Sequence, residues 1–450
     1  MSRRWFSLSL LACAAVAFAA DERKPNIIVI VADDLGYRDL GYQGGKEIAT
    51  PAIDKLAKSG VRLTNGYVSG PYCSPTRAGL LTGRYQQRFG HEFNPGPPTE
   101  ATKEVGLPLT ETTIVERLKK AGYRTGMVGK WHLGNGEKFQ PQSRGFEDFY
   151  GFLGGAHAYQ PGKGEVKGAN AIRRGREVID EKEYLTDAFA REAVAYIEQQ
   201  KANPFFLYLT FNAVHTPLEA KPEDEAAVAN ISDPKHKAYA AMLIAMDRAV
   251  GKVADKLAQE KLDEHTLIFF ISDNGGPPVN TSSNGELRGH KAQTWEGGVR
   301  VPFFVTWAKH LPQDKIYHQP AIQLDIAPTI LAAAGIEATD AKFDGVNLLP
   351  YLKGEKDTAP HDKLYWRFGP QTAIRAGDWK LVKGAGASDA ILVNLANDLS
   401  ESKDLSAEQP EKRKELEAAW NAWNKELEEP RWKPNAGNGK NKKNKKNKAA

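Results

Sequence analysis

The chain has 450 residues, 41% of them hydrophobic, enough to bury one large core and a smaller second one. Its formal charge of +5 sits at the two ends, because Arg3, Arg4 and the six lysines of KNKKNKKNK more than account for it. The stretch between them is near −3, which gives no support to a basic, nucleic-acid-binding body.

Residues 1–20 combine Arg3-Arg4, a short apolar run and an Ala17-Phe18-Ala19 site, the pattern of a secretory signal peptide. The run is too short to span a bilayer comfortably. Ser2 to Phe6 carries a twin-arginine flavour, and Leu11-Ala12-Cys13 a faint lipid-anchor one. No later segment is long and apolar enough for a transmembrane helix, so the expected product is exported, periplasmic or extracellular. Cleavage would leave Cys73 as the one cysteine, with no internal disulfide to join. A buried cysteine acting as a small hydrophobe is the plain reading. The Ser74-Pro75-Thr76-Arg77 that follows sits badly with it.

Ile27–Val31, Thr125–Val128, Phe205–Phe211, Leu267–Ile271 and Val301–Thr306 are apolar runs without alternation, as expected of parallel strands buried on both faces. Helical patterns separate them at Thr112–Ala121, Asp187–Gln200, Ala238–Gln259 and Leu324–Ala334. The alternation predicts an α/β sandwich with a large, mostly parallel sheet over 21–355. From 356 to 434 the pattern changes to a smaller α+β subdomain. Short runs at Leu364–Phe368, Thr372–Arg375, Trp379–Val382 and Ile391–Leu395 read as an antiparallel meander, followed by a helix at Glu408–Leu427. Residues 435–450 are Lys/Asn-rich with little to bury, and are expected to be disordered.

Chemistry gathers where the buried runs end. Asp33-Asp34, Lys130-Trp131-His132, Asn212 to His215 and Asp273-Asn274 each follow one. Ligands of open α/β sheets bind at the carboxyl ends of strands, so these residues are expected in one site. Asp33, Asp34, Asp273 and Asn274 offer only oxygen, which suits Ca²⁺ or Mg²⁺ better than zinc. Taken singly, a strand-end DD is often a helix cap and DNG a turn. Arg77, Lys130, His132, His215 and Lys291 add cations and exchangeable protons, a combination that favours an oxyanion such as sulfate or phosphate.

Cys73-Ser74-Pro75-Thr76-Arg77 with Leu81-Thr82-Gly83-Arg84, and Gly122-Tyr123-Arg124-Thr125-Gly126-Met127-Val128-Gly129-Lys130-Trp131-His132, resemble the two signatures of type I sulfatases. The resemblance runs from Pro25 to the C-terminal meander and implies the alkaline phosphatase-like fold. It implies that a maturation enzyme converts Cys73 to Cα-formylglycine, whose hydrate attacks sulfur. It further implies one Ca²⁺ held by Asp33, Asp34, Asp273, Asn274 and the modified residue 73. Asp273 would then serve also as a base, Arg77 and Lys130 would orient the hydrate, and His132 would remove its second proton. His215 and Lys291 would act on the leaving oxygen. The local flavour is similar to polysaccharide and N-acetylgalactosamine-6-sulfatase-like enzymes, so the expected substrate is a sulfated carbohydrate. His91, Glu92, His157, His290 and Arg300 are expected in loops near the mouth. Two alternatives stand beside this: a phosphodiesterase or phosphonate monoester hydrolase on the same scaffold, and a sulfated-glycan binder without turnover.

Overall fold

Asn26–Ala32, NIIVIVA, is a run of branched apolar residues between Pro25 and Asp33, the composition of a strand buried on both faces. It forms β1 of the computed structural model, which describes residues 23–96, 102–165 and 167–433. The leader at 1–20 and the lysine-rich end at 435–450 lie outside the described residues. In chain order there follow β2 (Val61–Leu63), β3 (Gly66–Tyr67), β4 (Arg124–Lys130), β5 (Asp148–Phe152), β6 (Arg173–Arg174), β7 (Glu177–Val178) and β8 (Phe205–Thr210). Then come β9 (Thr266–Ser272), β10 (Phe303–Thr306), β11 (Lys315–Tyr317) and β12 (Ala321–Ile322). The chain closes with β13 (Leu364–Phe368), β14 (Gln371–Ala376), β15 (Trp379–Lys383) and β16 (Ile391–Asn394).

Ten of these make one sheet in the order β11-β2-β10-β9-β1-β8-β4-β5-β6-β7. Its centre, β9-β1-β8-β4-β5, is parallel throughout. The pleat sends alternate residues of β1 to opposite faces. Ile27, Val29 and Val31 enter one core with Phe269 and Tyr208; Ile28 and Ile30 enter the other with Phe270 and Leu209. Helices Leu185–Gln200 and Pro234–Gln259 cover the second face, and Cys73–Thr82, Ile114–Lys120 and Ile326–Ala333 the first.

The run at Val301–Thr306 departs from expectation: β10 pairs antiparallel with β9. Parallel neighbours need a crossover. Here the chain leaves β9 at the carboxyl edge, forms a long loop containing a 3-10 turn at Pro278–Asn280 and the short helix Glu296–Val299, and returns directly alongside.

The C-terminal meander forms its own sheet, β13-β14-β15-β16. Ile374, Leu381 and Leu392 meet Leu416 of the helix Pro410–Asn424, while Leu364, Trp366, Ala373 and Val382 join the main core. The Trp366 indole N–H donates to the Val68 carbonyl at 2.7 Å. The small sheet therefore packs into the body rather than standing apart.

Candidate active site

Register brings the carboxylates together. Ala32 is paired with Ser272, so Asp33 and Asp273 leave β1 and β9 side by side, and the Asp273 N–H donates to the Ala32 carbonyl at 3.0 Å. Next to them β4 ends at Lys130, and its approach to β8 depends on Gly129. That residue has φ +120°, and a Cβ there would sit 1.8 Å from the Thr210 oxygen. Cys73 enters from outside the sheet as the first residue of the helix Cys73–Thr82, whose ten residues are all buried. Its Sγ lies 3.6 Å from Asp33 Oδ1.

Asp33, Asp34, Cys73 and Asp273 each offer a ligand atom, and these atoms lie within 4.8 Å of one another. Asn274 donates its amide to Asp34 at 2.8 Å, while its Oδ1 is buried without a hydrogen-bond partner. Three carboxylates beside an unsatisfied amide oxygen fit a hard divalent cation. Three cations interleave with them. Lys130 Nζ is 2.5 Å from Asp33 Oδ2, and Lys291 Nζ is 2.7 and 2.9 Å from the Asp34 oxygens. Arg77 donates from Nε and Nη2 to Asp273 Oδ2 at 3.0 and 2.8 Å, and from Nη1 to the Lys130 carbonyl.

This packing sets the protonation states. Burial would raise the Asp33 pKa, yet Lys130, His215, Arg77 and Lys291 overcome it and hold the carboxyl well below its usual range. Asp273 is pushed up to about 6 by burial and by the Asp33 charge, against Arg77. Burial and then Asp273 push the Cys73 thiol up to about 12, so it is protonated at neutral pH. Burial lowers His132 and His215 alike, with Lys130 adding to the first and Asp34 opposing the second. His215 Nδ1 lies 2.6 Å from the Thr216 carbonyl, which can only accept, so Nδ1 carries hydrogen and Nε2 faces Asp34 at 3.6 Å.

A cleft of about 310 Å³ opens onto this cluster, with Cys73, His132, His215 and Lys291 in its wall. Every catalytic and metal position expected from the sequence thus falls in one place. The mouth residues do not. His91 is buried under Trp432, its ring centroid 4.7 Å away, and Glu92 is paired with Arg367. Arg300 donates to the Thr64 carbonyl and neighbours Glu296 at 3.5 Å. His157 lines a separate small cavity, and His290 Nδ1 turns back to the Lys291 carbonyl.

Other residues enter the site that were assigned no role of their own from the sequence. The Ser74 hydroxyl donates to the His132 carbonyl at 2.6 Å, so the 2.7 Å contact with His91 Nε2 has His91 as donor. Asn94 Oδ1 accepts the Ser74 N–H at 3.0 Å, and Asn94, Asn135 and Asn170 line the cleft. Ser74 stands inside the Cys73 signature without pointing to a bond of its own, and loop asparagines recur everywhere in sequences and mark nothing by themselves.

The family model for sulfatases matches residues 25–336. The chain belongs to the sulfatase family, whose members hydrolyse sulfuric esters. A second model, described as N-sulphoglucosamine sulphohydrolase, C-terminal, matches 289–428 of this sulfatase. N-acetylgalactosamine-6-sulfatase of Sus scrofa is 32% identical over 403 residues, 84% of this chain and 75% of that protein. Arylsulfatase H of Homo sapiens is 33% identical over 425 residues, 76% and 75% of the two chains. Ps i-CgsB, solved in complex with k-i-k-neocarrahexaose, is similar in structure with a TM-score of 0.86 at 38% identity, over 91% of this chain and 95% of the other.

Proposed function

We propose that this sulfatase is exported and releases inorganic sulfate from a sulfated carbohydrate, with Cys73 matured to Cα-formylglycine by a dedicated modifying enzyme. One observation carries the reading: the Cys73 thiol stands at the start of its helix, fully buried among three carboxylates, protonated and repelled as an anion. A cysteine so placed is unsuited to act as a thiolate. Hydrated, a formyl group at 73 would present one hydroxyl to sulfur and keep a second whose collapse to a carbonyl expels sulfate.

Asp33, Asp34, Asp273 and Asn274 would hold the cation, read as Ca²⁺ from its all-oxygen donors, which supplies positive charge at the sulfate oxygens. Its charge matters to the balance. Three carboxylates offset Arg77, Lys130 and Lys291, so a divalent ion leaves the buried site with an excess of two positive charges, matched to a sulfate group.

Arg77 and Lys130, locked on Asp273 and Asp33, orient residue 73, and Asp273 is placed to take a proton from its attacking hydroxyl. His132 faces the cleft with Nδ1 unpartnered in the protein and takes the second proton as sulfate departs. His215 presents Nε2 to the leaving oxygen and donates to it when doubly protonated, and Lys291 steadies the same oxygen.

For the substrate class, support comes from the N-acetylgalactosamine-6-sulfatase relatives and the neocarrahexaose complex of Ps i-CgsB. Export rests on the leader at 1–20, and no helix among the described residues is long and apolar enough to cross a membrane. We read 21–355 as the catalytic unit and 356–434 as its C-terminal subdomain. Mass measurement of the tryptic peptide Leu63–Arg77 tests the centre: formylglycine lowers it by about 18 Da relative to the thiol. Active protein with an intact thiol would refute the mechanism. Sulfate release from a panel of sulfated polysaccharides and aryl sulfates tests the substrate class.

A further inference from the structure

The loop between β9 and β10 delivers Lys291 to Asp34, and its geometry is held from a distance. Ala292, the next residue, has φ +67°, a left-handed backbone that a residue with a Cβ adopts only under constraint. Two contacts supply the constraint. The Ala292 N–H donates to the Pro71 carbonyl at 2.7 Å, tying the loop to the segment that leads into Cys73. The Ala292 carbonyl accepts from Gln371 Nε2 at 2.8 Å, and Gln371 Oε1 accepts the Thr294 N–H at 3.2 Å.

Gln371 is the first residue of β14, buried, on the C-terminal sheet. Its amide thus grips the turn on both sides of Gln293. The grip is reinforced further along the same sheet. Trp295 packs so closely on Gly384 that a Cβ there would lie 2.1 Å from the ring. Lys380 and Glu401 hold Glu296 by its carboxylate and its N–H.

We propose that Gln371 is a positioning residue for the reaction: it fixes the left-handed turn at Ala292 and so aims the Lys291 ammonium into the site. Gln371 touches none of the reacting groups and acts only through the loop. The proposal rests on the role given to Lys291 above.

The test uses Gln371→Met, Lys291→Ala and the double variant, each matured at residue 73 as checked by peptide mass. The readout is kcat and KM on aryl sulfates with good and poor leaving groups, together with circular dichroism. Methionine keeps the length of glutamine and removes both hydrogen bonds. Gln371→Met should lower kcat on the order of tenfold, more for poor leaving groups, because the displaced cation no longer meets the leaving oxygen. In the Lys291→Ala background the same change should cost less than about twofold, since the residue it positions is gone. Wild-type kcat in Gln371→Met, or losses that multiply in the double variant, would overturn the proposal. A silent Lys291→Ala would instead overturn the role of the lysine and the inference with it. Should Gln371→Met fail to fold, Gln371→Glu keeps the size and the acceptor for the Thr294 N–H but removes the donor to the Ala292 carbonyl. It should reproduce the loss on poor leaving groups, and an unchanged kcat there overturns the inference equally.

Discussion

Replacing Lys380 by methionine keeps most of the aliphatic stem and deletes a wholly buried charge. The ammonium lies 2.8 Å from both Glu296 Oε1 and Glu401 Oε1, and all three side chains have 0% exposure. Burial would raise the Glu296 pKa, but Lys380 leads the cations that bring it down to about 2. Glu401 is pushed up to about 7 by burial, with Lys380 opposing and Glu296 adding to the rise. Without the lysine two carboxylates face each other out of water, and breaking such a buried pair costs about 3–5 kcal/mol. Glu401 is already close to taking a proton at neutral pH, so the variant has an inexpensive escape and should fall near the lower end, about 3 kcal/mol. The raised folded pKa also fixes the sign of the pH dependence. A carboxyl whose folded pKa exceeds its unfolded value loses stability as pH rises through the folded value. The deficit should therefore be larger at pH 8 than at pH 6. Urea unfolding of both proteins, followed by tryptophan fluorescence, measures it. A deficit under about 1 kcal/mol, or one equal at the two pH values, would show that the lysine does not bind the two acids as described.

His91 is held neutral by burial, its pKa brought from 6.5 down to about 3. The stability it contributes is whole above pH 6.5 and falls by up to about 1.4 kcal/mol per unit as pH drops toward 3. His91→Gln should flatten that acid slope in unfolding titrations, and an unchanged slope would remove His91 as its source. Gly155→Ala would set a Cβ 2.7 Å from the His132 ring. It should lower kcat on aryl sulfates on the order of a hundredfold with little change in melting temperature, and wild-type turnover would contradict the ring position. Arg77→Lys cannot reproduce three donations to Asp273 and the Lys130 carbonyl, so kcat/KM should fall on the order of a hundredfold or more. A loss under threefold would mean a point charge suffices there.

The site was legible in the sequence where strand burial and polar ends coincide. NIIVIVA running into Asp33-Asp34, and TLIFFIS into Asp273-Asn274, announce both an interior strand and what it carries. Short strands with mixed burial were not legible: β5, DFYGF, begins with an exposed aspartate and contains Gly151, and β6 and β7 have two residues each. The direction of β10 was also missed, because an apolar run says that a strand is buried and nothing of which way its neighbour runs. His91 and Glu92 were placed at the mouth on the strength of their polar types. What buries His91 comes from the other end of the chain, where Arg431 donates its N–H to the Gly90 carbonyl and Trp432 donates to Phe93 and Asn94. Contacts across some 340 residues leave no local pattern.

The same limit applies to the C-terminal sheet, with a consequence for how the reaction centre is maintained. Strand ends place the carboxylates by register, since Asp33 and Asp273 each continue a paired strand. Lys291 has no strand behind it. Its loop is held between β9 and β10 by the Ala292 N–H bond to Pro71 and by Gln371, Lys380 and Glu401, these three from the small sheet and the segment after it. Because the charge on Lys291 offsets Asp34, displacing the loop would also leave a buried carboxylate short of its partner. Docking of the small sheet on the body and the balance of charge at the cleft are therefore one requirement: damage to the first should appear as altered chemistry before it appears as unfolding.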